Sequence, residues 1–152
     1  MRIVAQRVAE AAVAVVGDAG RREVARIGAG LLALVGFAPG DGDEPLAWGA
    51  KKLADLRLFE APDGSSGFDR SLRETGGGLL LVSQFTLYGD ARKGRRPDFT
   101  AAAPFPEAER MFARLAELCE RELPGKVARG DFGARMEVSL VNDGPVTILL
   151  ER

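Results

Sequence analysis

Apolar positions recur along this chain with two periods, near two and near 3.6, and the switches between them mark out its elements. From Ile3 to Val16 small and β-branched residues dominate. Gly17-Asp18-Ala19-Gly20 then supplies turn chemistry before Arg22–Ile27, so an N-terminal strand and a hairpin are predicted. Leu31–Phe37 and Leu79–Val82 are nearly unbroken aliphatic runs, as strands covered on both faces require. Asp43 stands at the N-cap of a predicted helix from Glu44 to about Leu56, with Trp48, Leu53 and Leu56 on its apolar stripe. Pro104 and Pro106 lead into a second helix, Glu107 to about Glu122. Met111, Leu115, Leu118 and Glu122 mark one side of it, with Phe112 and Cys119 adjoining, and Pro124-Gly125 stops it.

At the C-terminus Met136, Val138 and Leu140 alternate with Glu137, Ser139 and Val141. Asn142-Asp143-Gly144 reads as a turn and Val146–Leu150 as a second strand, together a hairpin. Pro145 at its mouth removes a ladder donor, and it makes Gly144–Pro145 a bond able to be cis at about 0.5–1 kcal/mol above trans. Five or more strands and two long helices predict a mixed α/β fold in which helices cover one side of the sheet, in one domain spanning residues 1–152.

Composition narrows the chemistry. Hydrophobic residues make up 46% and charged residues 28%, the balance of a soluble globular chain, and no apolar run approaches the roughly eighteen residues of a membrane span. The opening MRIVAQRV lacks the apolar core of a signal peptide, so a cytoplasmic protein with no membrane partner is expected. The chain has no histidine and one cysteine. Ser-His-Asp and Cys-His triads are thereby excluded, zinc lacks its usual ligands, and no metal or cofactor is expected. An enzyme with this inventory works through backbone dipoles, hydroxyls, carboxylates or its substrate's own groups.

Ser83-Gln84-Phe85-Thr86 ends the Leu79 strand, and such strand ends leave amides and hydroxyls free to meet ligands. Gly28-Ala29-Gly30 is not a phosphate loop, because no Gly-Lys-Ser/Thr follows and the segment enters a strand. A net charge of −1 confines any nucleic-acid contact to a local patch. Arg92-Lys93-Gly94-Arg95-Arg96 is the candidate, although by itself it reads equally as a solvated loop.

Five stretches, taken in order, carry a resemblance. Gln6-Arg7-Val8, Ile27–Leu32, VSQFTLYGD at Val82–Asp90, GRRPDF at Gly94–Phe99 and VSLVNDGPVT at Val138–Thr147 resemble the bacterial D-aminoacyl-tRNA deacylases, also called D-tyrosyl-tRNA deacylases. The resemblance covers essentially the whole chain. It implies a three-layer β/β/α fold and a homodimer with active sites at the interface. It also implies hydrolysis of the ester joining a D-amino acid, or mischarged glycine, to tRNA; DNA is not an expected partner.

Site roles follow from the same resemblance. Gln84, Phe85 and Thr86 form the catalytic segment, with backbone donors near Phe85 and Thr86, the Gln84 side chain assisting, and the substrate's ribose 2′-hydroxyl aiding water attack. Ser83, Met136, Gly144 and Pro145 bind substrate, Met136 being equally readable as core. Arg7, otherwise a solvated edge cation, supports a cis Gly-Pro turn that rejects L-amino acids. Arg92, Lys93, Arg95 and Arg96 meet tRNA. Where the family carries a Gly-Lys-Met-Asn-like run, this chain has Gly64-Ser65-Ser66-Gly67-Phe68. Three alternatives remain open at this stage: an RNA-binding module without catalysis, a protein whose hairpin only dimerises, and a trans-editing deacylase with another amino-acid preference.

Overall fold

The computed structural model describes residues 1–152. In chain order the elements are β1 (Arg2–Gly17), β2 (Gly20–Ile27), β3 (Gly30–Gly36), α1 (Asp43–Asp55), β4 (Arg57–Phe59), β5 (Arg70–Ser71), α2 (Leu72–Thr75), β6 (Gly78–Ser83), a 3-10 turn (Phe85–Tyr88), α3 (Phe105–Glu122), β7 (Val127–Arg129) and β8 (Met136–Glu151). The first half of β1 pairs antiparallel with β3 and its second half with β2, while β3, β6 and β7 run parallel. The small β4–β5 sheet lies apart from this main sheet. The sheet is therefore mixed, as the pattern predicts.

Strand alternation sends side chains into two cores. Ile3, Ala5, Leu31, Ala33, Val35, Leu79 and Leu81 join the helices, where Leu46, Leu53, Met111, Phe112 and Leu115 meet them. Val8, Ala11, Val13, Ile27, Leu32, Leu80 and Val82 fill the other face, closed over by the far half of β1 and by β2, which curls towards β6 and β7. Sheet on sheet on helices is the result. It explains why β3 and β6 are continuous aliphatic runs: both of their faces are covered. At the start of those strands the backbones touch. A Cβ on Gly30 would lie 1.9 Å from the Gly78 carbonyl oxygen, so glycine there serves close approach, not phosphate binding.

The C-terminal hairpin is not formed. β8 is one strand that pairs antiparallel with β1 from Val15 opposite Met136 to Arg2 opposite Glu151. Between Val8 opposite Asn142 and Gln6 opposite Thr147, extra residues of β8 loop out as a bulge. Asn142 closes the bulge: its Oδ1 accepts from the Val146 amide at 2.9 Å, and its Nδ2 donates to the Val146 carbonyl and to Thr147 Oγ1, each at 3.3 Å. Asn-Asp-Gly-Pro suits a turn and a bulge equally. The length of β1 decides, because it offers a partner to both halves.

Asp43 is also displaced from its expected role. It is the first helical residue, Gly42 takes the N-cap with no side-chain bond, and the Asp43 carboxylate faces Arg114 at 3.3 Å. α3 starts two residues earlier than Glu107, at Phe105, with Pro104 as N-cap. Cys119 is wholly buried, as expected from its place on α3. Burial pushes its thiol up to about 12, so it stays protonated near neutral pH. Native protein should resist alkylation by iodoacetamide at pH 8 and react only after unfolding, which mass spectrometry would read. No helix is long and apolar enough to cross a membrane.

Candidate active site

A cavity of about 570 Å³ opens where β3 and β6 end, between the start of α3 and the segment leading into β8. Val35 and Val82 form its base, Phe99, Phe105 and Phe132 its walls, and Ser83, Gln84, Phe85 and Met136 complete the lining. The walls are aromatic pairs in edge-to-face contact. Phe85 meets Phe99 edge-on at 5.2 Å, and Phe105 meets Phe132 at 5.1 Å. Phe85 and Phe105 nevertheless stay 57% exposed, an unusual cost in open water for side chains of this size.

One side of the cavity is polar because the chain changes conformation there. The Gln84 amide donates to the Val35 carbonyl at 2.7 Å, and the backbone then tightens into the 3-10 turn. The first amides of any helical turn have no acceptor within it. Here the Phe85 and Thr86 amides have none elsewhere in the chain. The Gln84 side-chain amide donates to Thr86 Oγ1. Thr86 is exposed and does not itself line the cavity, and no group able to take a proton is bonded to its hydroxyl.

The Gly-Pro turn occupies a different place. Gly144–Pro145 is cis, and Gly144 adopts φ +132°, in the region that favours glycine. Both residues are exposed within the β8 bulge. Arg7 beneath them is only 5% exposed, so it is no solvated edge cation. Its Nε donates to the Asp143 carbonyl at 3.1 Å, and its Nη1 donates to the carbonyls of Leu58 at 2.7 Å and Gly67 at 3.3 Å. The Asp143 carboxylate lies 3.2 Å from the same guanidinium. Arg7 thus clamps the turn, β4 and the Gly64–Phe68 loop together.

Register separates the turn from the cavity of its own chain. Arg7 is level with Leu31 and Leu79, whereas Ser83 is level with Val35 and Ile3. Along the sheet that is about 13 Å in the strand direction and about 14 Å across three strand spacings. Neither Gly144 nor Pro145 lines the cavity. Arg92, Lys93, Arg95 and Arg96 sit in an exposed loop between Asp90 and Asp98 that adjoins the cavity through Phe99.

Some contributors were not singled out in the sequence. Phe99, Phe105 and Phe132 shape the cavity, and Asn142 holds the bulge. Phe99 lies inside GRRPDF, yet its place on the wall depends on the loop folding back onto Phe85. No cluster of three or more potential metal-ligating side chains exists. With no histidine and one buried cysteine, turnover by a chelated, dialysed sample is expected to match the untreated enzyme, provided the substrate RNA stays folded.

Comparison with known proteins decides the family. The model for the family D-Tyr-tRNA(Tyr) deacylase matches residues 4–151. The chain belongs to this family. It is accordingly an enzyme of the hydrolase class. Its relatives include the D-aminoacyl-tRNA deacylases of Solidesulfovibrio magneticus, 56% identical over 99% of this chain and 95% of that protein, and of Stenotrophomonas maltophilia strain K279a, 56% identical over 99% of both. Among solved structures, the "c-Myc DNA Unwinding Element Binding Protein" superposes with a TM-score of 0.91 at 37% identity, covering 100% of this chain and 99% of that one. A probable eukaryotic D-amino acid tRNA deacylase shares the fold, with a TM-score of 0.82 at 20% identity over 98% and 97% of the two chains.

Proposed function

We propose that this chain hydrolyses the ester linking a D-amino acid, or mischarged glycine, to the terminal adenosine of tRNA, as part of translation quality control in the cytoplasm. The single observation that carries the reading is the pair of unaccepted amides at Phe85 and Thr86 beside an apolar cavity, in a chain of the deacylase family. An aminoacyl ester is already activated, so the protein needs chiefly to bind the developing oxyanion. One preorganised donor contributes roughly 3–4 kcal/mol to such a step. Water attacks the ester carbon while the neighbouring ribose 2′-hydroxyl accepts the water's proton and passes its own to the departing 3′ oxygen. The tetrahedral centre then collapses to free amino acid and tRNA. Gln84 orients the Thr86 hydroxyl, Ser83 and Met136 border the amino acid, and no side chain forms a covalent intermediate.

Chirality is selected by exclusion in a homodimer. The Gly144–Pro145 turn is exposed, remote from its own cavity and held by Arg7, and the exposed Phe85 and Phe105 leave the cavity mouth open. A second copy that inserts its turn there places rigid backbone where an L side chain would project and leaves a D side chain or glycine free. Release of amino acid from D-Tyr-tRNA, L-Tyr-tRNA and Gly-tRNA tests this. D-Tyr and Gly esters should be cleaved and the L-Tyr ester spared; binding of all three without release would overturn the reading.

A further inference from the structure

The four cations of the Arg92–Arg96 stretch are not equivalent. Asp90 and Asp98 pair as an isolated antiparallel bridge, their amides and carbonyls exchanging bonds of 2.7 and 2.9 Å, and so close a nine-residue finger, Asp90 to Asp98. Arg92 differs in being paired with Asp90, although its side chain is still 87% exposed. Its Nε lies 2.9 and 3.1 Å from the two Asp90 carboxylate oxygens, its Nη2 2.6 Å from one of them, and its backbone amide donates to Asp90 Oδ1 at 2.9 Å. Asp98 turns the other way, its carboxylate accepting from the Thr100 amide at 2.8 Å. Lys93, Arg95 and Arg96 make no ion pair with any carboxylate of the chain and are exposed.

The base of the finger is fixed to the cavity. Phe99, next after Asp98, lines the cavity wall and packs edge-on against Phe85, whose amide is one of the two free donors. Lys93 and Arg95 each stand three residues from the bridge, so the backbone of the finger reaches at most about 11 Å beyond its base and the cationic side chains roughly 6 Å further. A strand whose terminal ester occupies the cavity and that leaves on the Phe99 side passes this finger. Its last phosphates, not those of a distant duplex, fall within that reach.

We propose that Lys93, Arg95 and Arg96 bind the phosphates of the unpaired 3′ end of the substrate RNA, and that the Asp90–Arg92 pair is the staple that presents them. The proposal rests on the deacylase reading and deepens it, since it names the part of the RNA that is held. Phosphate contacts to a single strand each contribute a salt-dependence slope of about 0.7.

The test compares three substrates: D-Tyr-tRNA, a short single-stranded oligoribonucleotide ending in CCA and carrying the same D-tyrosyl ester, and D-tyrosyl-adenosine, which has no phosphate. In K93Q/R95Q/R96Q the slope of log kcat/KM against log salt is expected to flatten by about 2 units, equally for tRNA and for the short strand. D90N/R92Q removes the staple and one charge of each sign, and is expected to flatten the slope by more than the roughly 0.7 unit of a single lost contact. An unchanged slope in the triple variant overturns the proposal in favour of a solvated loop. Flattening confined to full-length tRNA overturns the assignment to the 3′ end. A wild-type slope in D90N/R92Q overturns the staple. Wild-type protein that cleaves none of the three esters overturns the deacylase reading itself, a result separate from any change of slope.

Discussion

Deacylation of a substrate whose terminal adenosine carries hydrogen in place of the 2′-hydroxyl is expected to be slower by about 10³-fold, while Thr86→Ala stays within about tenfold of the parent enzyme. The contrast follows from what stands near the reacting atoms. The chain has no histidine, and the Thr86 hydroxyl is bonded to the Gln84 amide, which cannot remove a proton. A threonine nucleophile in that setting would stay protonated and weak. The substrate, by contrast, brings a hydroxyl adjacent to the scissile bond. Positioned proton transfer contributes about 10²–10⁴-fold, so the loss falls mainly on the modified substrate. Loss of an essential covalent nucleophile typically costs more than about 10⁴-fold. Single-turnover rates on the deoxy and native esters, with Thr86→Ala in parallel, check the assignment. Equal rates on the two esters, or a dead Thr86→Ala enzyme of native fold, would refute it.

Arg7→Met is expected to lower stability by roughly 2–4 kcal/mol and to erase most of the discrimination between D and L esters. Arg7 is buried and satisfies carbonyls from three separate segments, at Leu58, Gly67 and Asp143. Methionine fills much of the volume but donates nothing, and an orphaned buried acceptor costs about 1–3 kcal/mol. The Asp143 carboxylate is more than half exposed and regains water, which holds the loss below that of a fully buried pair. For a chain of this length the melting temperature should drop by roughly 5–15 °C. Gly144→Ala separates geometry from stability. Its Cβ would lie 2.7 Å from Val146 Cγ2 and 2.8 Å from the Val146 amide nitrogen, at φ +132°. The exposed turn must shift, so the D-to-L ratio of kcat/KM should collapse while the melting temperature moves less than in Arg7→Met. An Arg7→Met protein with the parental melting temperature and D-to-L ratio would remove Arg7 from this role.

Most elements were legible because they answer to local chemistry. The β1–β2 hairpin, the doubly covered β3 and β6, and α1 and α3 to within about two residues all follow from periodicity and turn residues. The short β5, α2 and β7 were missed. α2 is only four residues long, and its capping box of Ser71 and Glu74 is the signal that could have found it. The ordered motifs made the family readable in the sequence, and the family comparison agrees with that reading.

What the sequence by itself determined was the set of parts: a helix-backed mixed sheet, a chain without histidine chemistry, a strand end at Ser83–Thr86, a Gly-Pro dipeptide and one basic run. Tertiary structure decided how they relate. Whether Asn142–Pro145 turned a hairpin or bulged a strand depended on β1, more than a hundred residues away in the chain, which is long enough to pair with both halves. Whether Arg7 was solvated or buried depended on carbonyls from Leu58, Gly67 and Asp143 meeting at one point. The inequality among Arg92, Lys93, Arg95 and Arg96 came from the Asp90–Asp98 bridge, which turns one carboxylate onto Arg92 and the other away. Period and propensity are properties of neighbours in sequence, whereas pairing and burial depend on which distant groups the fold brings into reach.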